Sequence, residues 1–70
     1  MSIAINTTNA NTTLQSIKTY IKEEKGKITP EMQRALIDLA TIAYEIKAVA
    51  NPRICAASFV QGNIFTASNY

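Results

Sequence analysis

The strongest periodic signal in the chain lies in its middle third, after Thr29. Apolar residues there follow one another at alternating spacings of four and three: Met32, Leu36, Leu39, Ala43, Ile46 and Ala50. Thr29 has the side-chain oxygen of an N-cap, and Pro30 suits the first helical position, where no backbone N–H is needed. The pattern predicts a helix over residues 30–50 with a heptad seam along one side.

This predicted helix has more apolar surface than one neighbouring helix can cover. A second stripe, made of Ala35, Ile42 and Val49, lies beside the seam, while Ile37 and Tyr44 widen its other flank. A surface helix normally buries an apolar face of limited width. The extra stripes therefore predict a second contact surface on this helix.

A shorter helix is predicted ahead of it, over residues 13–25. Thr12 and Gln15 have the spacing of a capping box, which marks a helix N-terminus. Apolar residues follow at helical spacing: Leu14, Ile17 and Ile21. Gly26 then provides a residue that adopts the left-handed conformation of a helix C-cap without strain.

The connection between the two predicted helices is only about five residues long, from Gly26 to Pro30. So short a link places consecutive helices side by side and antiparallel. At about 1.5 Å per residue, the first helix is about 20 Å long and the second about 30 Å long. We therefore expect the far end of the second helix, residues 44–50, to lack cover from the first.

The two ends of the chain are predicted to differ. Residues 1–12 form an extended arm, because Asn and Thr dominate residues 6–13 and favour loops and caps over helix interiors. The C-terminal segment, residues 51–70, contains both helix formers and strand formers. A short helix over residues 53–61, stopped by Gly62, is favoured over an extended segment.

These elements predict an all-α fold in one small module, residues 1–70. Its parts are an arm (1–12), an antiparallel helical hairpin with a shorter first helix (13–50), and an apolar C-terminal segment (51–70). A chain of 70 residues buries a modest share of its surface and is marginally stable on its own. Cys55 is the only cysteine and histidine is absent, so an internal disulfide or a histidine-containing metal site cannot add stability. Oligomerisation, binding to a larger protein, or an unusually well-packed core are the remaining sources of stability.

All charged residues lie in the middle of the chain. The net charge is +2, and neither residues 1–17 nor residues 54–70 contain a charged side chain. Charged side chains normally keep exposed segments from associating, so the uncharged ends favour packing against other copies. The chain starts without the basic segment of a signal peptide, and no apolar run approaches about 18 residues. We expect no membrane span, and either an intracellular protein or part of an exported or viral assembly.

No group of side chains in the sequence predicts catalysis. Histidine, the usual general acid or base, is absent. Asp38 and Glu45 share a helix face, but their seven-residue spacing separates the carboxylates by about 10 Å, too far to share a metal or a proton. Cys55 lies among apolar neighbours, which suppress the reactive thiolate. We expect no enzyme activity, no catalytic residue, no cofactor and no metal.

Basic residues cluster near the predicted turn, which raises the question of nucleic-acid binding. They are Lys18, Lys22, Lys25 and Lys27. Glutamates interleave with these lysines at positions 23, 24 and 31, and the second helix offers apolar stripes where a recognition helix would offer polar side chains. Nucleic acid is therefore not an expected partner, and the turn is interpreted as a solvated tip.

These features predict a structural subunit that assembles with copies of itself into a fibre, shell or tube, as in viral particles or secretion structures. The predicted interface consists of Tyr44, Ile46, Val49, Ala50, Ile54, Phe59, Ile64 and Phe65. Unlike surfaces that bind each other on identical subunits propagate unless they close into a ring. The alternative function is a small inhibitor or adaptor that docks an apolar helix face on a larger protein partner.

Overall fold

A computed structural model shows an all-helical chain. It describes residues 7–69, with side chains from Asn9 onward, and this part of the chain contains three helices and no strand. Helix α1 spans Thr7–Glu23, α2 spans Pro30–Ile46 and α3 spans Pro52–Ser68. Each helix contacts the other two, and the contact between α2 and α3 is the most extensive. The predicted all-α class is confirmed.

Helix α1 begins six residues earlier than predicted. The capping box at Thr12 and Gln15 is wrong as a helix start, because both residues lie inside α1. Ala10 explains the difference: it is fully buried and extends the predicted apolar stripe by one turn. Packing of this stripe outweighs the weak helix propensity of Asn and Thr. Residues 7–12 of the predicted arm are therefore helical, and residues 1–6 lie outside the described residues.

The start of α2 agrees with the sequence, but its end does not. Thr29 has extended backbone geometry, and its side-chain oxygen accepts a hydrogen bond from the Met32 amide at 3.1 Å. Pro30 occupies the first turn, as predicted. The predicted end at residue 50 is wrong, because α2 stops at Ile46. Both α1 and α2 contain 17 residues, so the expected shorter first helix is also wrong.

The premature end of α2 is a turn closed by backbone hydrogen bonds. The Val49 amide donates to the Tyr44 carbonyl at 3.3 Å, and the Ala48 amide donates to the Glu45 carbonyl at 3.0 Å. Ala48 has a φ of +60°, the left-handed conformation of a Schellman C-cap. Pro52 then opens α3 and restricts Asn51, the residue before it, to a non-helical conformation.

Helix α1 ends in the same kind of turn, and this changes the predicted role of Gly26. Lys25 takes the first left-handed position, with a φ of +53°, and Gly26 follows with a φ of +74°. Gly26 also packs against α3. A Cβ atom at this position would lie 2.8 Å from the Ile64 carbonyl oxygen and 2.9 Å from the Ser68 amide nitrogen. Gly26 is therefore required for the backbone conformation and for the close approach of α3.

Helix α3 is much longer than the predicted helix over residues 53–61. It starts at Pro52, as the Asn51–Pro52 pair indicates, although the Asn51 side chain makes no capping hydrogen bond. It continues through Gly62 to Ser68, so the predicted stop at Gly62 is wrong. Gly62 is exposed, and no atom lies within 4 Å of its would-be Cβ. Without a left-handed conformation or a clash, this glycine does not interrupt the helix.

The two glycines should respond oppositely to alanine. Gly26→Ala should lower the free energy of unfolding by about 2 kcal/mol or more, because it combines left-handed strain with contacts to backbone atoms that must shift. Gly62→Ala should raise it by about 0.5–1 kcal/mol, because alanine favours an exposed helix interior. Urea unfolding followed by circular dichroism measures both. Equal effects of the two substitutions would contradict the packing at Gly26.

Ala48 offers a stabilising substitution in the α2–α3 link. Ala48→Gly should raise the free energy of unfolding by about 0.5–1 kcal/mol, because glycine adopts the left-handed conformation without the penalty that alanine incurs. Ala50→Gly is the matched control: it lies in the same link without a positive φ, and should be slightly destabilising. Thermal unfolding of both variants tests the expected opposite signs.

Candidate interaction surface

Small side chains make up much of the core. Five of the nine buried apolar residues are alanines: Ala10, Ala40, Ala43, Ala56 and Ala67. The others are Leu14, Ile17, Ile21 and Val60. Alanine lets neighbouring helix backbones approach closely but removes little apolar surface from water. The fully buried positions of α2 and α3 are therefore alanines and Val60, and larger side chains such as Tyr44 and Phe59 pack around them while partly buried.

Several large apolar side chains of the described chain face solvent instead. Leu39 is 47% exposed, Ile42 is 53% exposed, Ile54 is 66% exposed and Phe65 is 71% exposed. Tyr20, on α1, is also exposed. Single exposed apolar residues are ordinary, but here they recur on defined helix faces. This repetition identifies two candidate interaction surfaces, one on α2 and one on α3.

The first surface is the α2 stripe, which we define as Met32, Ala35, Leu39 and Ile42. Spacings of three and four place these residues on one side of the helix, away from the buried Ala40. The stripe borders a groove of about 550 Å³ between α1 and α2. From α1, Thr12, Ser16 and Tyr20 line this α1–α2 groove. None of its lining residues is charged.

An acidic line runs along the edge of the α2 stripe that faces away from α1. It consists of Glu31, Asp38 and Glu45, which repeat every seven residues and so align along the helix. The Arg53 guanidinium donates a hydrogen bond to the Asp38 carboxylate, with 3.1 Å between Nη1 and Oδ1, and the two groups form an ion pair. Both partners are more than half exposed, so this pair adds little to stability. The acidic line therefore lies beside the α2 stripe and outside the residues that line the groove.

The second surface is the α3 ridge, which we define as Ile54, Ser58, Gln61, Gly62 and Phe65. All five residues are exposed. Phe65 lies eleven positions after Ile54 in α3. Eleven positions advance the helix by about 16.5 Å and bring the side chain back to within about 20° of the same direction. The ridge thus has a large apolar side chain at each end and smaller or polar residues between them.

Polar side chains elsewhere on α3 bind their own helix. The Asn63 amide donates to the Phe59 carbonyl at 2.7 Å, and the Ser68 hydroxyl donates to the Ile64 carbonyl at 2.8 Å. Asn69 makes the same type of contact with Phe65 at 3.1 Å. Hydrogen bonds to the carbonyl four residues earlier satisfy side-chain polar groups without water. Because no charge follows Arg53, α3 can be desolvated at low cost.

The structure divides the interface that the sequence predicts. Four of its eight residues pack against the chain's own core: Tyr44, Ile46, Phe59 and Ile64. The others are Ala50, Ile54 and Phe65, which are exposed, and Val49, which is half-buried. The sequence leaves the N-terminal arm, the C-terminal segment or another chain to cover the end of α2, and in the structure the C-terminal segment, as α3, packs there. The predicted interface as a whole stays a prediction.

The Tyr44 ring is the clearest example of this internal cover. It meets the Phe59 ring edge-on, with centroids 6.2 Å apart and an angle of 75° between the planes. The Lys47 ammonium lies 5.8 Å from the centre of the Tyr44 ring. Burial, followed by the negative charge of an ionised Cys55, raises the pKa of the Tyr44 hydroxyl above its ordinary value of 10.0. These contacts join α2 to α3 next to the link between them.

Sequence reasoning missed Tyr20 and Leu39 as surface residues, whereas Ile42 belongs to the second stripe that it predicted as a contact surface and is exposed. A usable signal was present: Met32, Ala35, Leu39, Ile42 and Ile46 also form a three–four repeat, next to the predicted seam. The apolar periodicity of the sequence does not determine which of these two adjacent stripes on α2 faces the core. Ala40, fully buried in the structure, decides the orientation of α2 but is too small to stand out in a hydropathy pattern.

The described residues offer little for other kinds of site. Within residues 7–69, no three metal-ligating side chains lie close together, and no helix is long and apolar enough to cross a membrane. Cys55 is a half-buried free thiol. The lysines near the α1–α2 link are exposed. Apolar contact is therefore the chemistry that this part of the chain presents most clearly.

Comparisons with known proteins add no relative. No protein-family model matches the sequence, and neither the curated proteins nor the solved structures compared with it show a match. We therefore infer its function from the residues and geometry of the chain itself.

The raised pKa of Tyr44 predicts a pH effect on stability. The folded state holds the Tyr44 hydroxyl proton more tightly than the unfolded state does. The contribution of this proton to stability is therefore complete below about pH 10 and is lost as the pH rises through the folded-state pKa. Tyr44→Phe keeps the ring but removes the titration. The free energy of unfolding of the wild type should therefore fall relative to that of Tyr44→Phe as the pH rises above about 10. Parallel urea titrations with a reductant present test this; a constant difference would contradict it.

Proposed function

We propose that this chain is a structural subunit that associates with copies of itself through apolar helix surfaces, as part of a fibre, shell or tube. The observation that carries the proposal is the placement of large and small side chains. Alanines dominate the buried positions, while Leu39, Ile42, Ile54 and Phe65 are about half exposed or more. A monomer that leaves these side chains in water has an unused hydrophobic driving force for association.

The energetics support several apolar contacts acting together. Fully burying one large aliphatic or aromatic side chain contributes about 1.5–3 kcal/mol. Bringing two proteins together costs about 4–15 kcal/mol in lost translational and rotational freedom, so one such side chain is too few. Surfaces on both α2 and α3 allow each copy to contribute several.

The proposal includes an antiparallel α1–α2 hairpin as the rigid base of the surfaces. The link between these helices, residues 24–29, is short, and short links favour antiparallel neighbours. The contact of Gly26 with the C-terminal part of α3 supports a compact three-helix unit. Rigid helices hold interface residues in place better than loops do.

The proposed role is structural rather than catalytic. The sequence contains no histidine, and Asp38, one residue of the acidic line, is engaged by Arg53. The half-buried Cys55 packs in an apolar helix without a neighbouring base in the sequence. These features favour contact over chemistry as the function.

The α1–α2 groove favours a second candidate, in which the chain is an adaptor or inhibitor. An uncharged groove of about 550 Å³, with the acidic line beside it on α2, resembles the site that receives an amphipathic helix with basic residues on its flank. In this case a larger protein, rather than another copy, would cover the α2 stripe. The mass of the purified chain in solution separates the two candidates.

Self-association should be visible as a mass that rises with concentration. Sedimentation from about 10 µM to about 1 mM should show species larger than the monomer for the wild type. The double variant Ile54→Gln/Phe65→Gln should remain monomeric and helical, because both side chains are exposed in the monomer.

Phe59→Asp serves as the contrasting control. Phe59 packs against the core and the Tyr44 ring, so a charge there should reduce helical circular dichroism instead of changing association only. A wild-type chain that remains monomeric across the whole concentration range would refute the structural-subunit proposal and leave the adaptor role.

A further inference from the structure

We propose that the α3 ridge of one copy docks into the α1–α2 groove of the next, so that copies join head to tail. This inference rests on the proposed self-association and specifies its geometry. Each copy presents both a projecting apolar surface and a concave one, and they lie on different helices. A contact between unlike surfaces leaves one of each unoccupied at the ends of any chain of copies, so further copies can add.

The two surfaces match in length. Ile54 and Phe65 are about 16.5 Å apart along α3. On the other copy, the α2 stripe from Met32 to Ile42 extends about 15 Å. Both ends of the ridge can therefore meet apolar residues of the stripe at the same time.

The two surfaces also match in charge. The ridge lies in a segment without charged residues, and the lining of the groove has none, so docking buries no unpaired charge. Arg53 immediately precedes the ridge, while Glu31 and Glu45 mark the two ends of the acidic line beside the groove. Arg53 pairs with Asp38 of its own copy in the monomer; both side chains are more than half exposed, so exchanging this pair for one with a glutamate of the next copy costs little.

The middle of the ridge permits a close approach. Ser58 and Gly62 are one helical turn apart and exposed, and the space around the Gly62 Cα is empty in the monomer. Small residues at helix interfaces let backbones come together and increase packing contacts. Docking gives this exposed glycine a packing role that the monomer does not provide.

Charge opposes the symmetric alternative, in which two α2 stripes pair with each other. An antiparallel pair of α2 helices would set Glu31, Asp38 and Glu45 of one copy alongside the same line of the other. Like charges along a helix interface are destabilising and select against that pairing. The uncharged α3 ridge avoids this repulsion.

The test uses one variant that disables each surface. Phe65→Glu places a charge on the ridge, and Ala35→Arg fills the groove with a long side chain that also suits the helix, because Glu31 lies four residues earlier. Both positions are exposed, so circular dichroism should show the wild-type helix content. Phe65→Leu and Ala35→Ser are the matched controls that preserve an apolar ridge and an open groove.

Each disabling variant should weaken association by about 10- to 100-fold in sedimentation or light scattering, and the controls should behave like the wild type. The decisive measurement is a mixture of the two variants. The Ala35→Arg copy keeps its ridge and the Phe65→Glu copy keeps its groove, so an equimolar mixture should form a closed 1:1 dimer that grows no further.

The outcomes separate the inference from the proposed function. A monomeric wild type refutes self-association and the docking geometry together. Association that survives either disabling variant refutes the docking geometry but retains self-association. Two monomeric variants whose mixture also stays monomeric refute head-to-tail docking, because an intact ridge and an intact groove are then both present and do not bind.

Discussion

The close packing of helices through alanine is the constraint on which the structure depends. Ala40 and Ala43 on α2 and Ala56 on α3 are essentially inaccessible to solvent. With these alanines on its inner side, α2 has Leu39 and Ile42 on its outer side, about half exposed. The same constraint produces a compact three-helix unit and the apolar surfaces outside it. In a chain this short, the core alone provides a small stability margin.

Close backbone packing also occurs at Gly26, in the link between α1 and α2. This glycine combines a left-handed backbone with direct packing against the C-terminal part of α3. The α1–α2 link is thereby joined to the far end of the chain, and α3 is held at both of its ends: by the short link after α2 at one end and by Gly26 at the other. The orientation of the α3 ridge follows from these two attachments.

Local sequence signals predicted the fold class and several helix boundaries. The Thr29 cap, Pro30 and the Asn51–Pro52 pair each correspond to a helix start, because capping and proline geometry act within a few residues. The start of α1 was missed, because the burial of Ala10 is a tertiary effect that local propensity does not contain. The length of α3 was missed for a related reason: an exposed glycine weakens a helix without ending it.

The candidate surfaces were less predictable than the fold. Ile54 and Phe65 belonged to the predicted interface and are exposed, whereas Tyr44 and Phe59 were placed in the same set and contact each other within the chain. Hydropathy treats these residues alike. Their different positions depend on how α3 packs on α2, which is set by the alanines and by Gly26 rather than by the large side chains themselves.

The short links between helices also bear on the rate at which one copy folds. Helices that follow one another in the sequence pack together across links of about five or six residues, and the most extensive contact joins the adjacent α2 and α3. Chains dominated by such local contacts fold within microseconds to milliseconds, because little loop-closure entropy opposes them. Encounters between copies at micromolar concentration are slower than this. In the proposed assembly, each copy would therefore complete its own fold before it meets another, and the groove would already be formed when a second ridge arrives.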